Sequence, residues 1–123
     1  MAAEERQAWW AEVAADPTVG DRARQRAKYL LLCAEFKVWP VDDEQAMLRS
    51  YGLTWEAFEL MMRRQSGKCA ICLGRSGRLI VDHDHVTGAV RGLLCNRCNA
   101  GLGQFQDSQS RLSAAINYLG PAK

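Results

Sequence analysis

Both histidines of the chain fall in one short stretch, VDHDHVTG at 81–88, and each directly follows an aspartate. Asp82-His83 and Asp84-His85 could be metal ligands, a general base with its helpers, or a polar loop running into the Thr87-Gly88 turn signal. An imidazole with an ordinary pKa of about 6.5 can accept a proton from water at neutral pH. A DH pair alone does not separate these readings, so the other reactive side chains have to be placed.

The cysteines are more specific. Cys69 and Cys72 form one C-x2-C, and Cys95 and Cys98 form a second, with 22 residues between the pairs. Each pair sits on a tight turn that aims two thiolates at one point. Four sulfurs close a tetrahedral zinc site and leave no position for water. One structural Zn2+ per chain is therefore expected, and the histidines are left for other work. The N-terminal MAAEERQAWWAEV has no apolar core of a signal peptide, and no run approaches the length of a membrane span. In the reducing compartment this implies, paired cysteines read as a metal site before disulfides. Cys33 is expected to be a small buried hydrophobe.

The second pair runs straight into Asn99 at an expected helix start. Asp82 and His83 at a strand end and Asn99 in a first helical turn can then converge at one stapled corner. Such a corner suits phosphodiester hydrolysis. A hard cation such as Mg2+ takes oxygen ligands and keeps several waters, so one carboxylate and one amide oxygen suffice. Strict strand alternation, however, puts Asp82 and Asp84 on one face and His83 and His85 on the other. Catalysis needs a twist or bulge there.

The coarse pattern along the chain is α+β. Before residue 66 the pattern is helical: Ala23, Ala27, Leu30, Leu31, Ala34 and Val38 recur at helical spacing, and Pro40 ends that element. Asp42 is the expected cap of a short helix, with Gln45 completing a capping box and Gly52 as its stop. Thr54 caps a helix carrying Trp55, Phe58, Met61 and Met62 as core, closed by Ser66-Gly67. Strands are expected at 78–81 and 89–94, a helix from Asn96 to Asn99 onward, and a last helix capped by Asp107 or Ser108 with Leu112, Ala115, Ile116 and Leu119 as its stripe.

Net charge is +2 but unevenly spread: residues 61–111 carry eight basic and three acidic groups, residues 40–60 one and five. The basic excess surrounds the histidines, as a polyanion-binding face requires, and Arg75, Arg78, Arg91 and Arg97 are the candidate nucleic-acid contacts.

Taken in order, the C-x2-C, VDHDH, VRGLLCN and CN motifs, with the lead-in YGLTWEAFELMMRRQSGKCAIC, resemble the phage recombination endonuclease VII family over about residues 51–107. This is a His-Me finger (ββα-metal) family related to the HNH nucleases. The resemblance implies a zinc-stapled ββα-metal core in residues 51–123 and an N-terminal helical extension in 1–50. It implies a DNA endonuclease leaving 5′-phosphate ends, at work in the cytoplasm of a bacterial or phage-infected host cell. Cys69, Cys72, Cys95 and Cys98 would bind zinc. Asp82 and Asn99 would hold Mg2+ or Mn2+, His83 would be the general base, and His85 would help at the same phosphate. Asp84 would orient its neighbours. The junction-resolving members carry a helical glutamate soon after the motif asparagine, where this chain has Ala100, Gly101, Leu102 and Gly103; only 24 residues follow Asn99. The resemblance therefore leaves the DNA substrate open among four-way junctions, other branched forms, nicks and duplex. Residues 1–50 offer a homodimer face with Trp9, Trp10 and Trp39 as anchors, against the plainer reading of those tryptophans as core. Two rivals stand beside the nuclease: a catalytically inactive, zinc-stabilised nucleic-acid-binding module, and a zinc-scaffolded protein-interaction domain.

Overall fold

The structure, a computed structural model, describes residues 1–75 and 77–122. Helices α1 (Ala3–Ala15), α2 (Asp21–Phe36), α3 (Glu44–Tyr51) and α4 (Trp55–Arg64) precede a hairpin of β1 (Ile80–His83) and β2 (Val90–Leu94); α5 (Asn96–Gln104) and α6 (Gln109–Leu119) follow. Helices and a small antiparallel sheet make the fold α+β. Among the described residues no helix is long and apolar enough to cross a membrane.

One core joins the helices to the hairpin. Tyr29, Leu32 and Cys33 of α2, Leu48 of α3, and Trp55, Phe58 and Met62 of α4 pack with Val81 of β1 and Leu93 of β2. Met61 is half-buried against this cluster, so the aromatic and Met positions of α4 are core, and Cys33 is a buried thiol whose pKa burial raises. The expected stripe of α2 is only partly the buried one. That helix serves two neighbours, α1 and the core, and the core takes Ala27, Tyr29, Leu32 and Cys33. Three polar ties fix α3 and the segment before it to α2: Arg26 donates to the Val41 carbonyl at 2.8 Å and pairs with buried Glu44 at 3.2 Å, and the Val41 N–H donates to the Tyr29 hydroxyl at 2.7 Å.

Thr54 and Ser108 cap their helices as expected, accepting from the N–H of Ala57 and Arg111. Gly52 ends α3 at φ +63, a backbone region glycine enters without strain. The cap of α3 is Asp43, not Asp42: its side chain accepts from the Ala46 N–H. Glu44 turning inward to Arg26 sets that start one residue later. The first strand begins at 80, not 78, because the chain before it is engaged elsewhere: the Trp39 N–H donates to the Gly77 carbonyl, and the Trp39 ring lies over Gly77, where a Cβ would come within 2.9 Å. Trp39 is thus 64% exposed and Trp9 53% exposed, so the core reading fails for both; Trp10 is half-buried. No residue of α1 is buried, because it packs on one side only, against α2. In α6 the stripe is likewise uncovered: Ile116 and Leu119 are exposed.

The outer edge of β2 is occupied by a side chain. Leu93 faces Val81 across the sheet, and its N–H donates to Oε1 of Gln65 at 2.9 Å while its carbonyl accepts from Nε2 of the same residue at 2.8 Å. The Ala70 N–H, at 3.1 Å, also donates to that carbonyl.

Candidate active site and metal centre

The tight turns place all four sulfurs of Cys69, Cys72, Cys95 and Cys98 within 4.8 Å of one another. A tetrahedron of zinc–sulfur bonds of about 2.3 Å has edges of about 3.8 Å. The Cys72–Cys95 Sγ separation is 3.8 Å, so the donor set fits such an ion. Backbone N–H groups of Ile71, Gly74 and Cys98 point at the sulfurs of Cys69, Cys72 and Cys95, each at 3.4 Å. Cys95 is also the N-cap of α5, so the metal corner and the helix start are one structure. Burial pushes the Cys69 thiol up, but hydrogen bonds from the backbone of Cys95, Cys72 and Ile71 outweigh it and bring it down to about 6. Burial, and then the neighbouring sulfurs, push the Cys98 thiol up to about 12. Negative charge therefore gathers at one sulfur and opposes ionisation of the next, a repulsion that a divalent cation removes.

At the other end of the hairpin the strand register slips. Val81 faces Leu93 and Asp82 faces Gly92, but His83 faces Val90. One step along β1 matches two along β2, and Arg91 is the extra residue. This is a bulge, and it lies between Asp82 and His83. Asp82, His83, His85 and Asn99 all border one cavity of about 300 Å³, together with Tyr51, Gly103 and Asp107. The His83 and His85 rings lie 4.7 Å apart between centroids, and the Tyr51 ring lies 5.4 Å from that of His83. Asn99 reaches the cavity from the first turn of α5, where its N–H donates to the Cys95 carbonyl at 3.0 Å.

The loop that carries His85 is held by Asp84. Its carboxylate accepts from the N–H of Val86 at 2.8 Å and Thr87 at 2.9 Å, and its own N–H donates to the Ala89 carbonyl at 2.8 Å. Those bonds, Thr87 first, hold the Asp84 carboxyl below its ordinary range.

Three site features were not legible beforehand. Arg91, read as a phosphate contact, grips Asp82 with both arms: Nε to Oδ2 at 2.7 Å and Nη2 to Oδ1 at 3.0 Å. Its Nη2 also reaches Asp107 at 3.2 Å, and Asp107 lies 3.8 Å from Nε2 of His85. The Asp82 hydrogen bonds first, with Asp107 adding to them, raise the Arg91 pKa beyond its already high ordinary value, so it stays a cation. The sequence marks Asp107 only as a candidate helix cap and assigns Tyr51 no role. Only the strand pairing, which sets Arg91 beside Asp82, could have given a cross-strand signal. Arg75 and Arg97 are exposed beside the cysteine corner, Arg75 donating to the Phe36 carbonyl at 3.2 Å; Arg78 is exposed ahead of β1.

Comparison with known proteins gives a consistent relationship. A family model described as recombination endonuclease VII matches residues 44–121. The chain is 46% identical over 80 residues to the Gene 59 protein of Mycobacterium phage D29, covering 62% of this chain and 48% of that one. It is 44% identical over 80 residues to the Gene 59 protein of Mycobacterium phage L5, covering 62% and 49%. The chain thus spans about half the length of the curated relatives it matches. No solved structure matches it.

Proposed function

The chain belongs to the recombination endonuclease VII family, and from that premise we propose that it is a metal-dependent DNA endonuclease of the His-Me finger type. The observation that carries this reading is the convergence of Asp82, His83, His85 and Asn99 on one cavity. Residues 51–123 form the nuclease unit, and residues 1–50 are a helical extension that shares its core with the hairpin. Cys69, Cys72, Cys95 and Cys98 hold one structural zinc. Asp82 and Asn99 supply the two oxygen donors for Mg2+ or Mn2+, a set that suits a hard cation retaining waters. When bound, that ion neutralises charge on the phosphate and on the departing oxygen.

The residues of the chain do the rest. His83 accepts the proton of a water molecule as the water oxygen bonds to phosphorus. The bond from phosphorus to the 3′ oxygen breaks, and that oxygen takes a proton from solvent, leaving 5′-phosphate and 3′-hydroxyl ends. Tyr51, whose ring lies tilted against that of His83, limits how the imidazole can turn. His85, 4.7 Å from His83, faces the same phosphate. Arg75 and Arg97 hold the flanking backbone.

The Arg91–Asp82 pair favours one second reading, a module that binds DNA without cutting it, since the metal carboxylate already has a cation partner. Supercoiled plasmid and a synthetic branched duplex, incubated with Mg2+ or Mn2+ and with EDTA, separate the two. Nicking that EDTA stops and His83→Ala removes supports the nuclease. Binding with no cleavage under any divalent ion overturns it.

A further inference from the structure

Building on the proposed nuclease site, the buried carboxylate of Asp82 has two claimants. Its side chain is 8% exposed and both oxygens are taken by the two arms of Arg91. A divalent cation approaching the same carboxylate meets a fixed positive charge at contact distance. The guanidinium, however, has a second anchor in Asp107 at 3.2 Å. It is also about a third exposed and borders a second cavity of about 450 Å³, shared with Asp84, His85, Gln106 and Asp107 and adjoining the first. Arg91 is the bulged residue of β2, where the ladder constrains the backbone least. A planar guanidinium grips phosphate as well as it grips carboxylate.

We infer that Arg91 is an exchangeable counter-ion: it neutralises Asp82 until a divalent cation takes that carboxylate, and then, tethered by Asp107, it turns to hold the DNA phosphate. Arg91 is in this sense a counter-ion for Asp82 and a contact for the substrate, but not both at once. Divalent-ion binding and DNA binding then strengthen one another, because each removes what opposes the other.

The test needs no turnover. Zinc-loaded protein carrying His83→Ala is titrated with Mn2+, and free aquo-Mn2+ is read by electron paramagnetic resonance, with and without a short duplex. Adding Arg91→Gln should tighten Mn2+ binding about tenfold without DNA, the worth of releasing a two-armed charged pair. Arg91→Lys keeps the charge but not the two-armed grip, and it should tighten binding about threefold. Duplex should improve Mn2+ affinity more in the Arg91 protein than in Arg91→Gln. Zinc content and circular dichroism check that each variant is folded. If Arg91→Lys matches the Arg91 protein, only a through-space field is at work and the exchange is overturned. If Arg91→Gln weakens Mn2+ binding, Arg91 holds Asp82 in place for the ion, and the exchange is again overturned. Asp82→Asn separates this failure from that of the nuclease reading: if the Arg91 protein binds no Mn2+ that Asp82→Asn abolishes, the divalent site itself falls.

Discussion

At one end of the hairpin four sulfurs crowd within 4.8 Å, and at the other a buried carboxylate is held by an arginine of the same chain. Both ends gather negative charge, yet they neutralise it differently. At the cysteine corner ionising one thiol opposes the next, a repulsion that an outside ion would relieve. The Asp82 corner supplies its own cation and is complete as folded protein. On the proposed reading, metal binding would be part of folding at the first site and a reversible event at the second. The distinction fits the work proposed for each: a staple must not come loose, whereas a catalytic ion has to share its position with substrate.

The contrast is easiest to break at the cysteines. Cys95→Ser removes one thiolate while leaving a hydroxyl that can still cap α5. Structural zinc in small domains contributes about 10–16 kcal/mol, comparable to or above the whole stability of about 5–15 kcal/mol of a domain. The variant should lose zinc and the cooperative melt of the hairpin; a zinc-free protein that melts like its parent would mean that packing alone holds the corner. Acid should act on the same site. The Cys69 thiol lies at about 6, below its ordinary value of 9.0. Its contribution is therefore complete above the ordinary value and is lost as pH falls through about 6. Protons compete with zinc for the four sulfurs, so zinc release followed with a chromogenic chelator should rise as pH falls, and release that does not depend on pH would contradict the charge argument.

Next in size is His83→Ala. Cleavage should fall about a hundredfold to ten-thousandfold, the usual worth of a positioned general base, with zinc content and DNA affinity nearly unchanged. Extra Mn2+ should not restore it, whereas it should partly restore Asn99→Ala, which keeps the base and loses a ligand. A plasmid-nicking time course distinguishes the two. Cutting at the parental rate by His83→Ala would remove the catalytic half of the comparison.

Smaller again is Tyr51→Ala. Losing the ring beside His83 should cost about three- to tenfold in rate, the range of one aromatic contact, and Tyr51→Phe should recover it, because the ring contact needs no hydroxyl. A Phe variant as slow as Ala would assign the role to the hydroxyl instead. The smallest effect should come from Arg97→Ala, which lowers the salt slope of DNA binding by about one unit. Binding measured across a salt series checks this, and an unchanged slope would take Arg97 off the DNA path.

What could be read in the sequence divides along the same line. The cysteine site was legible because C-x2-C is a local constraint: the turn delivers both sulfurs whatever the rest of the fold does. Thr54, Gly52 and Ser108 were legible for the same reason. Asp82, His83 and Asn99 could be named, but their meeting depends on a bulge that sequence could state only as a requirement. Arg91 was read as a phosphate contact because its position beside Asp82 is fixed by cross-strand register. Asp107 reaches the site through a turn in which Gln106 and Asp107 both take left-handed φ values of 57° and 54°, which no pattern in that segment announces. Trp39 is exposed because its ring covers the Gly77 backbone rather than entering the core.

The Gln65 amide carries a consequence of its own. A two-stranded sheet has open edges, and an open edge is a template on which a strand from another molecule can add. By meeting both the N–H and the carbonyl of Leu93, the Gln65 side chain imitates one rung of an absent third strand. The place is filled by a group that cannot be extended, so β2 cannot seed a growing array of paired chains at this point. Gly92 belongs to the same device: a Cβ there would come within 3.1 Å of the Gln65 oxygen and force that amide to give way. A side chain at residue 92 would then do harm in concentrated solution that a thermal melt of dilute protein would understate.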